Sequence, residues 1–204
     1  MTRMSWIVAL SLFVGMASAG CGLEPDGSDP GDTETAIQPL GNTFSERTLP
    51  ARGGGGGAFT GHVTPPAVIY GVQVNSGRLV DRITFYYYQP TRADNVYAGE
   101  TTGAVTFGGN GGASQNPVFT CPANQGVIGL RGASGKYVDR IGVICGNVTT
   151  PDPASPSNVF SPLWGGGGGA FFEDRCEFGR LVDSFNVRNG SVVDNLQAMC
   201  INAQ

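Results

Sequence analysis

Two short marks recur three times along this 204-residue chain, always in the same order. The first is a glycine loop: Gly53-Gly54-Gly55-Gly56-Gly57-Ala58-Phe59, Gly108-Gly109-Asn110-Gly111-Gly112-Ala113, and Gly165-Gly166-Gly167-Gly168-Gly169-Ala170-Phe171, starting 55 and 57 residues apart. The second is Gly-x-x-x-Asp: Gly77-Arg78-Leu79-Val80-Asp81, Gly135-Lys136-Tyr137-Val138-Asp139 and Gly190-Ser191-Val192-Val193-Asp194. Self-similarity at a fixed period makes each repeat one supersecondary unit that cannot bury its own apolar face. Three small sheets around a pseudo-threefold axis would pool those faces into one core.

The stretches between the marks alternate as strands do. Val72-Gln73-Val74 enters the Asn75-Ser76-Gly77 turn, and Val80 to Tyr88 leaves it with Ile83, Phe85 and Tyr87 on one face at period two. Val127–Leu130 with Val138–Ile144, and Phe185–Val187 with Val192–Ile201, repeat the pattern. Tyr86, Tyr87 and Tyr88 read as strand residues alternating between core and surface. With 33 glycines and no collagen period, glycine marks turns between β-rich runs, and the class is all-β. The repeats fall at about 51–105, 106–162 and 163–204.

Four cysteines fit the same register. Cys121 and Cys145 are 24 residues apart, as are Cys176 and Cys200. Repeat 1 has Val63 and Tyr87 at those positions. Four cysteines allow three pairings, and the equal spacing favours Cys121–Cys145 and Cys176–Cys200. A zinc site is the weaker reading, because close Cys pairs are missing and the chain's one histidine is His62.

On these residues the chain resembles the jacalin-related lectins. Val127-Ile128-Gly129-Leu130-Arg131-Gly132-Ala133-Ser134-Gly135-Lys136-Tyr137-Val138-Asp139-Arg140-Ile141-Gly142 is similar to that family's last-strand motif, and the run Gly71 to Ile83 to its second. The resemblance covers residues 51–204. It implies a β-prism of three Greek-key-like four-stranded sheets with pseudo-threefold symmetry, and carbohydrate binding without catalysis. In the family a glycine loop works with the Gly-x-x-x-Asp loop of another repeat. Carried over, site A joins Gly53, Gly54 and Gly57 to Gly190 and Asp194. Site B joins Gly108, Gly109 and Gly112 to Gly77 and Asp81. Site C joins Gly165, Gly166 and Gly169 to Gly135, Lys136, Tyr137 and Asp139. Tyr137 would stack on a sugar at C, while Leu79 and Val192 would do less at B and A. In that family, galactose preference goes with a cleaved chain that frees a glycine N-terminus, and intact chains tend to prefer mannose. Here Arg52-Gly53 is continuous, which points to mannose or glucose. The Cys121-Pro122 opening and the closing cysteines resemble a second β-prism family, the vitelline membrane outer layer proteins.

The chemistry suits the implied ligand. A sugar hydroxyl both donates and accepts. Glycines let backbone approach closely, and an ionised aspartate accepts in charge-assisted bonds. Bland readings compete: the glycines could serve tight turns alone, and each aspartate could cap its own turn. Gly179-Arg180-Leu181-Val182-Asp183 also spells the motif, but the repeat alignment puts it in a strand over Asn124–Ile128. A surface-coat protein without sugar binding is the alternative function.

Other classes fit poorly. There is no basic patch for nucleic acid; the formal net charge is −4. A nucleophile elbow, a P-loop and a carboxylate cluster for calcium are all missing, so no cofactor or metal is expected. The first 20 residues read as a signal peptide, with Arg3 ahead of the apolar run Trp6–Ala17. Ser18-Ala19-Gly20-Cys21 resembles a bacterial lipobox with Ser18 where leucine is usual; Ala17-Ser18-Ala19 also fits an ordinary cleavage site. Residues 21–50, with Glu24, Asp26, Asp29, Asp32 and Glu34, read as an acidic disordered tether. The expected product is exported. It is either a lipoprotein anchored through Cys21 at a periplasmic or outer surface, or secreted.

Overall fold

The computed structural model describes residues 46–60, 67–93, 96–112 and 114–203, with backbone alone at 90–93, 96–101, 114 and 115. The expected signal peptide, Cys21, the tether up to residue 45, His62 and Val63 lie outside the described residues.

All described elements are strands. β1 (Arg47–Thr48), β2 (Arg52–Gly53) and β3 (Ala58–Thr60) come first. β4 (Val68–Ser76), β5 (Val80–Ala93), β6 (Val96–Gly108), β7 (Ser114–Gln115) and β8 (Phe119–Thr120) follow. Next are β9 (Gln125–Ser134), β10 (Val138–Asn147), β11 (Val159–Phe160), β12 (Trp164–Gly165) and β13 (Ala170–Arg175). β14 (Arg180–Asn189) and β15 (Val193–Asn202) close the chain.

They form three antiparallel sheets, each centred on a long hairpin: β4–β5, β9–β10 and β14–β15. In each, the strand before a glycine loop pairs with the hairpin's second strand. The strand after the loop pairs with its first. The orders β6-β5-β4-β7, β11-β10-β9-β13 and β1-β15-β14-β3 are Greek keys, in which the loop carries the chain over the hairpin's end. Each sheet has five strand segments where four strands were expected. One edge is broken in two, and each break holds a proline: Pro50 between β1 and β2, Pro117 between β7 and β8, and Pro162 between β11 and β12. Proline has no N–H for the ladder and is tolerated at an edge.

The third sheet joins the two ends of the domain. Arg47 pairs with Cys200, and the Leu49 amide donates to Ala198 O at 2.9 Å. Gln197 Nε2 donates to Leu49 O at 3.0 Å. Residues 47–50 read as tether by composition, yet strand pairing starts there, ahead of the boundary expected at residue 51. Leu49 packs against the main core.

Inward faces of the three sheets supply that core. Val72, Val74, Ile83 and Phe85 come from the first, Val127, Ile141 and Val143 from the second, and Phe185, Val187 and Leu196 from the third. The Phe85 and Phe185 rings stack with centroids 3.8 Å apart. Each such side chain contributes about 1.5–3 kcal/mol by leaving water, and pooling them makes three otherwise marginal sheets one body. The cysteines pair as their spacing favours, Cys121 with Cys145 and Cys176 with Cys200. Each bridge joins one sheet's outer strand to the next sheet's hairpin. At the third junction Tyr87 packs partly buried against the core.

Each glycine loop is fastened over its hairpin by one backbone bond. The amides of Gly54, Gly109 and Gly166 donate to the carbonyls of Asp194, Asp81 and Asp139, all at 2.9 Å. The preceding glycines need the left-handed region, with φ of 107° at Gly53, 101° at Gly108 and 130° at Gly165. A Cβ on any of them would overlap that same aspartate carbonyl. The loop's third position is open: nothing lies within 4 Å of a Cβ at Gly55 or Gly167, and here loop B carries Asn110.

Two tests follow from this packing. Gly108→Ala should lower the unfolding free energy by about 1–3 kcal/mol, and Gly167→Ala should change it by less than about 0.5 kcal/mol, both read by urea denaturation. Equal effects would contradict the loop geometry. Replacing Cys176 and Cys200 together by alanine should cost about 2–5 kcal/mol, and non-reducing peptide mapping of the wild type should return the two pairs above and no crossed pair.

Candidate functional site

The three motif aspartates share one structural cause for their position. Val80 pairs with Ser76 and Arg82 with Asn75, which leaves Asp81 as the extra residue of a β-bulge. Asp139 is extra between Val138 and Arg140, and Asp194 between Val193 and Asn195. A bulge re-aims the side chain of its extra residue. Here all three carboxylates turn toward a glycine loop. A Cβ at Gly56 would lie 2.6 Å from Asp194 Oδ1, and one at Gly111 2.7 Å from Asp81 Oδ1, with Gly168 and Asp139 closer still. Side chains at those positions would fill the gap between loop and carboxylate.

The turns close without help from the aspartates. Gly77 N donates to Leu79 O at 3.1 Å, and Gly135 N to Tyr137 O and Gly190 N to Val192 O at 3.0 Å. Among the described residues, no group donates a hydrogen bond to the carboxylates of Asp81, Asp139 or Asp194. The turn-cap reading therefore finds no bond to rest on. Asp81 and Asp139 are half-buried, and Asp194 is 6% exposed. Each offers acceptor oxygens next to backbone that glycine leaves bare, the arrangement a polyhydroxylated ligand needs.

All three expected junctions are assembled: Gly53–Gly57 with Gly190–Asp194, Gly108–Gly112 with Gly77–Asp81, and Gly165–Gly169 with Gly135–Asp139. They also interlock, because each loop's second glycine abuts a carbonyl of a neighbouring sheet's turn. Gly54 meets Lys136 O, Gly109 meets Ser191 O and Gly166 meets Arg78 O. The three sites thus gather at one end of the prism. A cavity of about 490 Å³ at C is lined by Arg78, Leu79, Tyr137, Asp139 and Gly166–Gly168. One of about 340 Å³ at A is lined by Gly57, Leu79, Tyr137, Gly190–Val192 and Asp194. Both volumes suit a small-molecule site.

Some roles differ from expectation. Tyr137, assigned to C alone, walls both cavities, and so does Leu79, assigned to B. The Lys136 ammonium lies 5.4 Å from the centre of the Tyr137 ring, outside the lining of either cavity. At B, Arg82 Nε donates to Gly109 O at 2.8 Å and its other end bonds Asn110 Oδ1, which pins that loop. Asp183 is a bulge residue too, but it is fully buried near the start of β14, and Ser184 Oγ donates to it at 3.0 Å. Its counterparts in the other hairpins are the bulge residues Tyr70 and Ile128. It takes no part in a loop junction.

Arg52 was not singled out by sequence. It stands just before loop A, where loops B and C are preceded by the buried Phe107 and Trp164. Arg52 Nε and Nη2 donate to the two Asp174 oxygens at 2.6 and 2.5 Å, and its guanidinium lies 4.9 Å from the Phe172 ring centre. The hydrogen bond to Asp174 holds its pKa above the ordinary arginine value, against a smaller opposing pull from burial. The pair ties the entry of loop A to β13 of the neighbouring sheet. Among the described residues, no three His, Cys, Asp or Glu side chains gather as a metal site.

No protein-family model matches the chain, and no curated protein matches it in sequence. Solved structures do. Malaysian banana lectin superposes with a TM-score of 0.57 at 18% identity, covering 76% of this chain and 98% of that one. A mannose-binding jacalin-related lectin from Ananas comosus gives 0.55 at 20% identity over 77% and 98%. Calystegia sepium agglutinin gives 0.55 at 17% over 77% and 97%. At such identities the likeness is one of fold, and it is the fold expected from the glycine loops: the chain is built as a β-prism of the kind found in jacalin-related lectins.

Proposed function

We propose that this domain binds carbohydrate, through the junctions of glycine loop and bulged aspartate at one end of the prism. The observation that carries the reading is the threefold recurrence of a carboxylate that faces bare glycine backbone and receives no hydrogen bond from the described residues. Sites C and A are the best equipped, each with a cavity walled by Tyr137, whose ring suits the apolar face of a pyranose. The residues in named roles are Asp139 and Asp194 as hydroxyl acceptors, Gly165–Gly169 and Gly53–Gly57 as close backbone, and Tyr137 as the stacking wall. Site B, with Gly108–Gly112 and Asp81, is a third.

Mannose- or glucose-type sugars are the favoured ligands. The preference rests on the sequence running on through Arg52-Gly53 without a cleavage that would free the glycine. Among the structures of similar fold, the Ananas comosus protein is described as mannose-binding, and the Calystegia lectin was solved with a biantennary N-glycan. Shallow polar sites bind single sugars weakly, because they desolvate many hydroxyls for little buried area. Several on one rigid prism raise avidity on a dense glycan surface by about 10²–10⁴-fold. An exported location, with Cys21 lipidated, would hold the domain near such surfaces; this part of the reading rests on the N-terminal sequence.

Asp139→Asn should weaken glycan binding at C by about 1.5–3 kcal/mol, measured by isothermal titration, while Asp183→Asn leaves affinity unchanged. If the triple Asn variant of Asp81, Asp139 and Asp194 binds as well as wild type, the aspartates are not the acceptors. If the wild type binds no glycan on an array, a structural surface-coat role replaces this reading. Mass spectrometry of the mature chain should find a diacylglyceryl-type adduct on Cys21, and an unmodified N-terminus would rule out the lipid anchor.

A further inference from the structure

Beyond carbohydrate binding in general, and resting on that reading, we propose that the cavity at C selects a saccharide bearing an anionic group, a carboxylate or a sulfate ester, held by Arg78. The cavity is a composite. Asp139 and Tyr137 come from the β9–β10 hairpin of the second sheet, and Arg78 from the β4–β5 turn of the first. The contact of Gly166 with the Arg78 carbonyl fixes that turn against loop C, so Arg78 is anchored at the border of the ligand space.

Among the described residues, the guanidinium has no competing partner. Arg52 pairs with Asp174, Arg175 with Glu173 and Arg180 with Glu177, whereas no carboxylate or hydrogen bond engages exposed Arg78 among the described residues. Five donors in a planar fork match a carboxylate or sulfate in bidentate fashion. Asp139 in the same cavity would repel a bare anion, and a neutral sugar would leave Arg78 unused. A ligand that satisfies both walls presents hydroxyls to Asp139, a ring face to Tyr137 and a negative group to Arg78.

The turn alignment sharpens the contrast with A. Arg78, Lys136 and Ser191 hold the same place in the three turns, each with its carbonyl against a neighbouring glycine loop. Lys136 sits beside loop A in this sense, but its ammonium rests over Tyr137 and is not part of the A lining, which carries Ser191 and Val192. Cavity A therefore remains a neutral-sugar site within the same molecule.

The test is titration of the full mature chain with three matched oligosaccharides: a neutral mannose- or glucose-type one, its uronic-acid counterpart and its O-sulfated counterpart. Wild type, Arg78→Gln and Arg78→Lys are compared. At low salt, wild type should bind at least one anionic ligand about ten-fold more tightly than the neutral one, and the advantage should shrink as ionic strength rises. Arg78→Gln should bring the anionic ligands down to the affinity of the neutral one, and Arg78→Lys should keep part of the advantage. The arm that shows this dependence identifies carboxylate or sulfate. Equal binding of all three ligands, or a preference that survives Arg78→Gln, overturns the proposal and leaves the carbohydrate reading intact. Failure of every ligand, neutral included, overturns both.

Discussion

The structure depends on one junction made three times: a glycine amide donating to the carbonyl of a bulged aspartate at 2.9 Å. The bond uses the aspartate's backbone and leaves its side chain free. It also fixes how the chain crosses from one edge of each sheet to the other. Because the loop must lie directly on the hairpin, its first glycine has no room for a Cβ and takes a positive φ. Strand topology, loop composition and carboxylate direction are then consequences of one contact. A Greek key closed by a bulkier loop would stand off the hairpin and open the space between loop and aspartate.

The three copies are alike where this contact demands it and differ elsewhere. Position three of the loop meets nothing, and there Asn110 replaces glycine and is pinned by Arg82. Ahead of the loop, an inward side chain is required, and Phe107, Trp164 and Arg52 meet that need by different means. Arg52 reaches a neighbouring sheet through Asp174, so a charged pair replaces apolar packing at the one sheet assembled from both ends of the domain. Two inter-sheet contacts are covalent, and the third relies on packing around Tyr87. Such differences make the three sites chemically unequal on a nearly symmetric frame.

Much of this was legible because repetition carries register. The cysteine spacing placed the disulfides, the resemblance carried by the two marks implied the junction partners, and the alignment put Asp183 on the strand position of Ile128, where it is buried. The bulges were missed, although each breaks the period of two: Val80 and Ile83, Val138 and Ile141, and Val193 and Leu196 are buried together three residues apart. The split edges could have been found from Pro50, Pro117 and Pro162, since each interrupts a run that would otherwise read as strand. The early start at Arg47 was hidden because two paired residues and Leu49 give too little pattern against an acidic background. Arg78 at cavity C and Tyr137 at cavity A are cross-sheet neighbours, which only the closed prism reveals.

The central claim is that sugar is held between glycine loop and bulged aspartate, and amide chemical-shift mapping during titration with a mannose-type oligosaccharide tests it most directly. The account predicts that the shifts concentrate at Gly166–Gly169 and at Gly135–Asp139, with a second set at Gly54–Gly57 and Gly190–Asp194. Saturable binding whose shifts fall elsewhere on the prism, with these loops unmoved, would contradict it.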